Sequence, residues 1–188
     1  LPYNEAPKLI TFAYWFYNPI DNVHQRGMTL QEQSGASYYA YLQYNKDTYD
    51  VNVGTQNSGV GVYRLGATTL TLNRWYHMAG TLDLGQSSPA NFHVYLDGRL
   101  DDGTTSGGGL PTASVATLVL GRLMTYYGQY FMADPCMWTR ILTPAEIARL
   151  ADPSNAMLDG LILETKRKRF IIGAAGATIP RFMLQYRR

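Results

Sequence analysis

Catalysis needs particular side chains held in groups, and this sequence offers few such groups. Hydrolysis by paired carboxylates requires two acids on one face of an element. The glutamates are Glu5, Glu32, Glu146 and Glu164, and none has an aspartate within two residues. The histidines are His24, His77 and His93, with no Gly-x-Ser-x-Gly nucleophile turn or His-Glu-x-x-His metal helix to accompany them. Cys136 is the single cysteine. It cannot close an internal disulfide, and beside Pro135 it reads as a small core residue. These side chains point to no enzymatic activity and call for no cofactor.

The charge distribution points to binding. Residues 1–163 carry 9 basic and 13 acidic side chains, a net of −4, whereas residues 164–188 carry 7 basic side chains against Glu164, a net of +6. The second segment interleaves Lys166-Arg167-Lys168-Arg169 with Phe170-Ile171-Ile172 and, further on, Arg181-Phe182-Met183-Leu184. A block of like charge seeks solvent or an acidic partner, but these apolar residues are too many for a free tail in water. The expected partner-binding residues are therefore Lys166, Arg167, Lys168, Arg169, Phe170, Ile171, Ile172, Phe182 and Leu184. Clustered charge also suits phosphates, but a protein surface uses both kinds of side chain, so nucleic acid is the less expected partner.

The elements that carry these residues are mostly strands. The chain has 188 residues, 46% hydrophobic and only 16% charged, with 15 Tyr, 6 Phe and 3 Trp to bury. No apolar run approaches the roughly 20 residues that span a bilayer. Leu9–Tyr17 is aromatic and β-branched on both faces, as a strand covered on both sides must be. Strands follow at 38–44, Val51–Val53, Val60–Tyr63, Thr68–Leu72, Trp75–Leu82, Phe92–Leu96, Arg99 onward, Ala116–Gly121 and Gln129–Thr139. Asp97-Gly98 supplies the positive φ angles of a two-residue hairpin turn. One helix is well signalled, with Thr143 as N-cap, Pro144 at the first helical position and Glu146 completing a capping box. Ile147 and Leu150 are its apolar face, and Asp152-Pro153 ends it. The pattern predicts an all-β, antiparallel two-sheet sandwich of about ten to thirteen strands over residues 1–151, closing with a helix at 143–151. A basic and apolar extension occupies 152–188. Leu1-Pro2-Tyr3 has neither a starting Met nor a signal-peptide character, so the chain reads as trimmed or processed.

The order of these signals resembles a known family. Trp75-Tyr76-His77-Met78-Ala79-Gly80-Thr81-Leu82-Asp83 is similar to the W-x-H-x-A-x-T-x-D strand of laminin-G-like domains, within the concanavalin A-like lectin/glucanase superfamily. Val94-Tyr95-Leu96-Asp97-Gly98 resembles the hairpin that follows it there, Leu118-Val119-Leu120-Gly121 a later strand, and Met137–Ile147 the closing strand and helix. The resemblance implies a jelly roll and makes His77 a structural hydrogen-bonding residue. It also implies a further opening strand, for which the chain has barely eight residues before Leu9. The C-terminal segment, particularly Arg181–Gln185, could fill that edge or reach onto another subunit. Ala133-Asp134-Pro135-Cys136 departs from the family's closing segment, and Pro135 implies a bulge.

Three expectations about partners come with the resemblance. Such domains often hold one Ca²⁺ at the sandwich rim, where Asp47, Asp50, Asp101 and Asp102 lie in loops; loop aspartates more usually make turns, and no ligand set is assigned. Glycan binding on this fold uses exposed aromatics, for which Tyr39, Tyr41, Tyr126 and Tyr127 are the candidates, although the same rings would suit a protein contact or simply a strand. Finally, the helix followed by Ala151-Asp152-Pro153 and a basic end resembles laminin-G-like virion proteins of tailed bacteriophages. The expected function is therefore a structural or decorating protein on the surface of a phage capsid or tail, attached through the C-terminal segment to other virion proteins or copies of itself. The alternative is a carbohydrate-binding, lectin-like module, secreted or extracellular.

Overall fold

The computed structural model describes residues 2–3, 7–19, 25–32, 38–57, 60–86, 88–108, 116–123, 126–127, 130–152 and 171–172. Its strands are β1 (Pro2–Tyr3), β2 (Leu9–Tyr17), β3 (Gln25–Glu32), β4 (Tyr38–Asn45), β5 (Asp50–Asn57), β6 (Val60–Gly66), β7 (Trp75–Asp83), β8 (Phe92–Leu96), β9 (Arg99–Leu100), β10 (Asp102–Ser106), β11 (Ala116–Leu120), β12 (Arg122–Leu123), β13 (Tyr126–Tyr127), β14 (Phe131–Trp138) and β15 (Ile171–Ile172). The helix α1 spans Pro144–Ala151. Seven strands form one antiparallel sheet in the order β1-β11-β3-β4-β5-β6-β10, and six form another in the order β15-β14-β2-β7-β8-β9; β12 and β13 pair as a ribbon. This is the all-β jelly-roll sandwich expected, with its short helix.

Alternation along the strands decides which face meets which. Ile10, Phe12, Tyr14 and Phe16 of β2 point between the sheets with Met78 and Leu82 of β7, and face Met28, Leu30, Leu42, Val51 and Val53 of the seven-stranded sheet. Most of these side chains are fully enclosed, and each such burial is worth about 1.5–3 kcal/mol. The odd residues of β2 and β7 face the other way. There Ala13, Ala79 and Tyr95 receive Leu142, Ile147 and Leu150 from the α1 segment, with Trp138 alongside. Ala13 and Ala79 are small where the helix must approach the sheet closely. The helix thus explains why β2 reads as apolar on both faces.

Several boundaries differ from the sequence reading, each for a local reason. β3 escapes that reading because Gly27 and its polar flanks hide the inward pair Met28 and Leu30. A Cβ on Gly27 would fall onto the phenol of Tyr14, whose hydroxyl donates to Leu42 O at 3.3 Å; the glycine is what lets a tyrosine lie within the core. Thr68–Leu72 is a connection and not a strand, pinned by Leu70 N–H to Tyr49 O at 2.6 Å. The hairpin arm from Arg99 divides, β9 staying with β8 while β10 crosses to pair with β6. Asp97 and Gly98 take φ of +48° and +79° as that turn requires. The Asp134-Pro135 bulge is present as a register shift between Ala133 and Cys136, with Asp134 at φ +49°. The opening strand is the two-residue β1, paired with β11; Arg181–Gln185 lie outside the described residues.

Where β10 crosses over, the sheets are joined by charge. Asp102 accepts from Val94 N–H at 2.8 Å, so its carboxylate occupies the place of a ladder partner on β8. The same side chain meets His93 Nδ1 at 2.7 Å and the Arg64 guanidinium at 3.4 Å. Arg64 also donates to Gly103 O and Ala90 O, both at 3.4 Å.

Candidate functional site

The outer face of the seven-stranded sheet is built from cross-strand rows. Val119, Thr29, Tyr41, Gly54, Tyr63 and Ser106 are successive partners across β11, β3, β4, β5, β6 and β10. On one side runs the row Arg26, Gln43, Asn52, Leu65, and on the other Thr117, Gln31, Tyr38, Gln56, Gly61. Because Val51, Val53, Leu42 and Met28 take the core, the pleat turns these amides and hydroxyls outward. Apart from Arg26 at one end, no Asp, Glu, His, Lys or Arg stands in the rows.

Gly54 shapes the middle of this face. A Cβ there would come 2.6 Å from Tyr63 Cβ and 2.8 Å from the Tyr41 hydroxyl, so the bare glycine admits the Tyr41 ring, which packs against Tyr63. Tyr41 is 6% exposed and Thr29, Gln43 and Asn52 are buried with it, while Gln31, Gln56 and Tyr63 are half-buried. Of the tyrosines expected to stack on a ligand, Tyr41 is therefore a covered floor, and Tyr63, which the sequence reading passed over, is the ring that reaches its surface. The signal for Tyr63 was present in the alternation of Val62 and Tyr63 on β6. Tyr39 lies on β4, and Tyr126 and Tyr127 form β13, paired with Leu123 and Arg122 beside β3. Their side chains lie outside what is described. The Asn52 Oδ1 atom is buried and has no hydrogen-bond partner among the described residues.

The rim aspartates have other work. Asp101 accepts from Thr68 Oγ1 at 2.6 Å and from Thr68 N–H at 3.3 Å. Asp50 accepts from Thr48 Oγ1 at 2.9 Å, and burial, with Asp101 nearby, raises its pKa to about 6. Asp47 pairs with Lys46 in an Asx turn closed on Asn45 Oδ1, and Asp102 is held in the clasp with Arg64 and His93. Among the described residues no three His, Cys, Asp or Glu side chains converge as metal ligands. Glu146 completes the capping box of the helix, and its bonds to Arg140 and then Thr143 hold its carboxyl down at about 2. His77 is buried edge-on to Trp15 at 5.4 Å, and burial lowers its pKa to about 4. Its backbone exchanges hydrogen bonds with Asp97, but its ring Nδ1 has no partner among the described residues; the ring serves packing. Cys136 is half-buried on β14. Of the C-terminal residues expected to meet a partner, only Ile171 and Ile172 are described, paired by backbone with Ala133 and Met132 of β14. Lys166–Phe170, Phe182 and Leu184 lie outside the described residues.

The two-sheet fold with its helix on the six-stranded sheet agrees with a sequence-family comparison. The model of the concanavalin A-like lectin/glucanases superfamily, in its laminin-G-like form, matches residues 4–148. The chain belongs to that superfamily. Several solved structures share its fold at low sequence identity. The heptameric SAP-like pentraxin of Limulus polyphemus superposes with a TM-score of 0.58 at 13% identity, covering 90% of this chain and 82% of that one. Domain 4 of AbnA, an extracellular arabinanase of Geobacillus stearothermophilus solved in complex with arabinotriose, gives 0.55 at 15% identity, covering 77% and 67%. A putative carbohydrate-binding protein of Bacteroides ovatus gives 0.52 at 14% identity, covering 76% and 40%. No curated protein matches the chain by sequence. No helix among the described residues is long and apolar enough to cross a membrane.

Proposed function

We propose that this chain is a non-catalytic carbohydrate-recognition module that binds an uncharged glycan on the outer face of its seven-stranded sheet. The observation that carries the reading is the unpaired Asn52 Oδ1 in the floor of that face. A buried acceptor without a donor costs about 1–3 kcal/mol, and a sugar hydroxyl is a donor that would relieve it. Gln31 and Gln56 offer both donors and acceptors to further hydroxyls, and Tyr63 offers a ring for a sugar's C–H face. Membership of a superfamily that includes lectins supports the reading, as does the likeness in fold to a domain solved with arabinotriose and to a putative carbohydrate-binding protein. The module is read as non-catalytic because Asp101, Asp102 and Glu146 are each committed to structural hydrogen bonds. Screening the protein on a glycan array, then titrating hits by calorimetry, tests it: Tyr63→Ala and Asn52→Ala should each weaken binding at least tenfold. A protein that binds no neutral glycan, or variants that bind as the wild type does, would sink the reading.

A second reading is a structural or decorating protein of a bacteriophage particle, attached through the C-terminal segment. It is supported by the charge split between the body and residues 164–188 and by β15, which adds a strand from that segment to a sheet edge. Association with particles or with itself would then depend on residues 164–188. Glycan binding by the seven-stranded sheet would survive their deletion, so the two readings separate in one truncation.

A further inference from the structure

The outer face of the seven-stranded sheet is not equally open along its rows. On the β3–β4 side Thr29, Tyr41 and Gln43 are 1%, 6% and 5% exposed, so they offer a ligand little surface. On β6 Gly61, Tyr63 and Leu65 are all half-buried, as is Gln56 on β5. The accessible middle of the face is therefore a lane along the β5–β6 pair. The register divides it into three steps: Asn52 with Leu65, Gly54 with Tyr63, and Gln56 with Gly61.

Each step offers a ligand something different. At the first, the buried Asn52 Oδ1 has no donor among the described residues and stands beside the apolar Leu65. At the second, Gly54 carries nothing above the backbone, and a Cβ there would fall 2.6 Å from Tyr63 Cβ. At the third, a Cβ on Gly61 would lie 3.5 Å and 3.7 Å from Tyr63 Cδ1 and Cε1. The ring thus leans along β6 toward Gly61, and the glycine leaves that side of it bare, next to the Gln56 amide. Asn52 and Gln56 are four residues apart on one strand, about 13 Å. At about 5 Å per sugar unit, reaching both amides takes about three units of an extended chain. We propose that the lane binds a linear, uncharged glycan as a run of about three units lying along β5 and β6, with Gly61 admitting a sugar to the Tyr63 ring. Resting on the glycan-binding reading above, the lane adds to it a chain length, a direction and a specificity-determining glycine. A monosaccharide engages one step and a disaccharide two. Gly61→Ala would add a methyl group at ordinary contact distance from the ring, whereas Gly61→Leu would lay a side chain on it in place of the sugar.

Titration calorimetry of the full chain tests this with cello-, xylo- and manno-oligosaccharides and linear arabino-oligosaccharides, each from one to five units. For the series that binds, affinity should rise at least tenfold from dimer to trimer and less than threefold from trimer to pentamer. Gln56→Ala and Asn52→Ala should each bring the trimer down to about the dimer's affinity. Gly61→Leu should lose at least tenfold for the trimer, while Gly61→Ala stays within about twofold of the wild type. Circular dichroism and the melting temperature check that Gly61→Leu is folded, and Gln56→Ala, at a half-buried amide, carries the test independently. An affinity already maximal for the monosaccharide, or rising with every unit up to the pentamer, overturns the lane and leaves the glycan-binding reading standing. A trimer affinity unchanged in Gln56→Ala does the same, by turning the sugar chain across the strands. Absence of binding throughout the panel overturns both together.

Discussion

Replacing His77 by phenylalanine should free the fold from acid over one window of pH. The ring is 2% exposed and edge-on to Trp15, and burial lowers its pKa from 6.5 to about 4. Between those values the unfolded chain binds a proton that the folded chain refuses, so stability falls as the pH drops from 6.5 to about 4. At about 1.4 kcal/mol per pH unit, that interval is worth about 3 kcal/mol. The Asp97 carboxylate does not compensate. Asp97 spends its oxygens on the backbone N–H of His77 at 2.9 Å and on Arg74 at 3.1 Å. Phenylalanine keeps the contact with Trp15 and removes Nδ1, which has no partner among the described residues. The variant should match the wild type at pH 7 and exceed it by about 3 kcal/mol at pH 4. Urea unfolding followed by far-UV circular dichroism, at fixed ionic strength and half-unit steps of pH, gives both curves. Their difference isolates His77, because every other group titrates in both proteins. A difference that stays flat from pH 7 to pH 4 would refute the reasoning.

Asp50→Asn should show the opposite sign. Its raised pKa, about 6, means that the folded chain holds the proton more tightly, so wild-type stability declines as pH rises from about 4 to 6; the asparagine variant should lose that decline, about 1 kcal/mol after solvent screening, in the same urea series. Gly27→Ala pushes a methyl group onto the phenol of Tyr14 and to 2.7 Å from Leu42 O, and calorimetry should show a loss of about 3 kcal/mol. Thr143→Ala removes one half of the capping box; it should cost about 1 kcal/mol and lower the melting temperature by about 2–4 °C.

The parts of the fold legible in the sequence are those where one residue type has a single mechanical use. Asp97-Gly98 needs positive φ, Thr143-Pro144-x-Glu146 caps a helix, and Pro135 interrupts a ladder; each stands where those needs place it. The family resemblance likewise rests mainly on β7, β8, β14 and α1, which supply three strands of the six-stranded sheet and its helix. β3 was not legible because its glycine answers to Tyr14, 13 positions away in sequence and adjacent only after folding. The candidate face was hidden for a similar reason. Thr29, Tyr41, Asn52 and Tyr63 are ordinary strand residues until the register aligns them, and Gly54 decides which of the tyrosines is floor and which is surface. The resemblance therefore carries the scaffold, while the ligand-facing side chains belong to the sheet it says less about.

The bulge in β14 bears on how this domain can be joined to others. A strand at the end of a sheet is a template on which further chains could stack without limit, and repeated head-to-tail joining of that kind grows fibres. Here Asp134, at φ +49°, and Pro135, which has no N–H, divide β14, and among the described residues β15 pairs with Met132 and Ala133. That two-residue stretch is already taken by β15, so a second strand finds no long unbroken ladder there. Open-ended stacking of strands at this edge is thereby disfavoured.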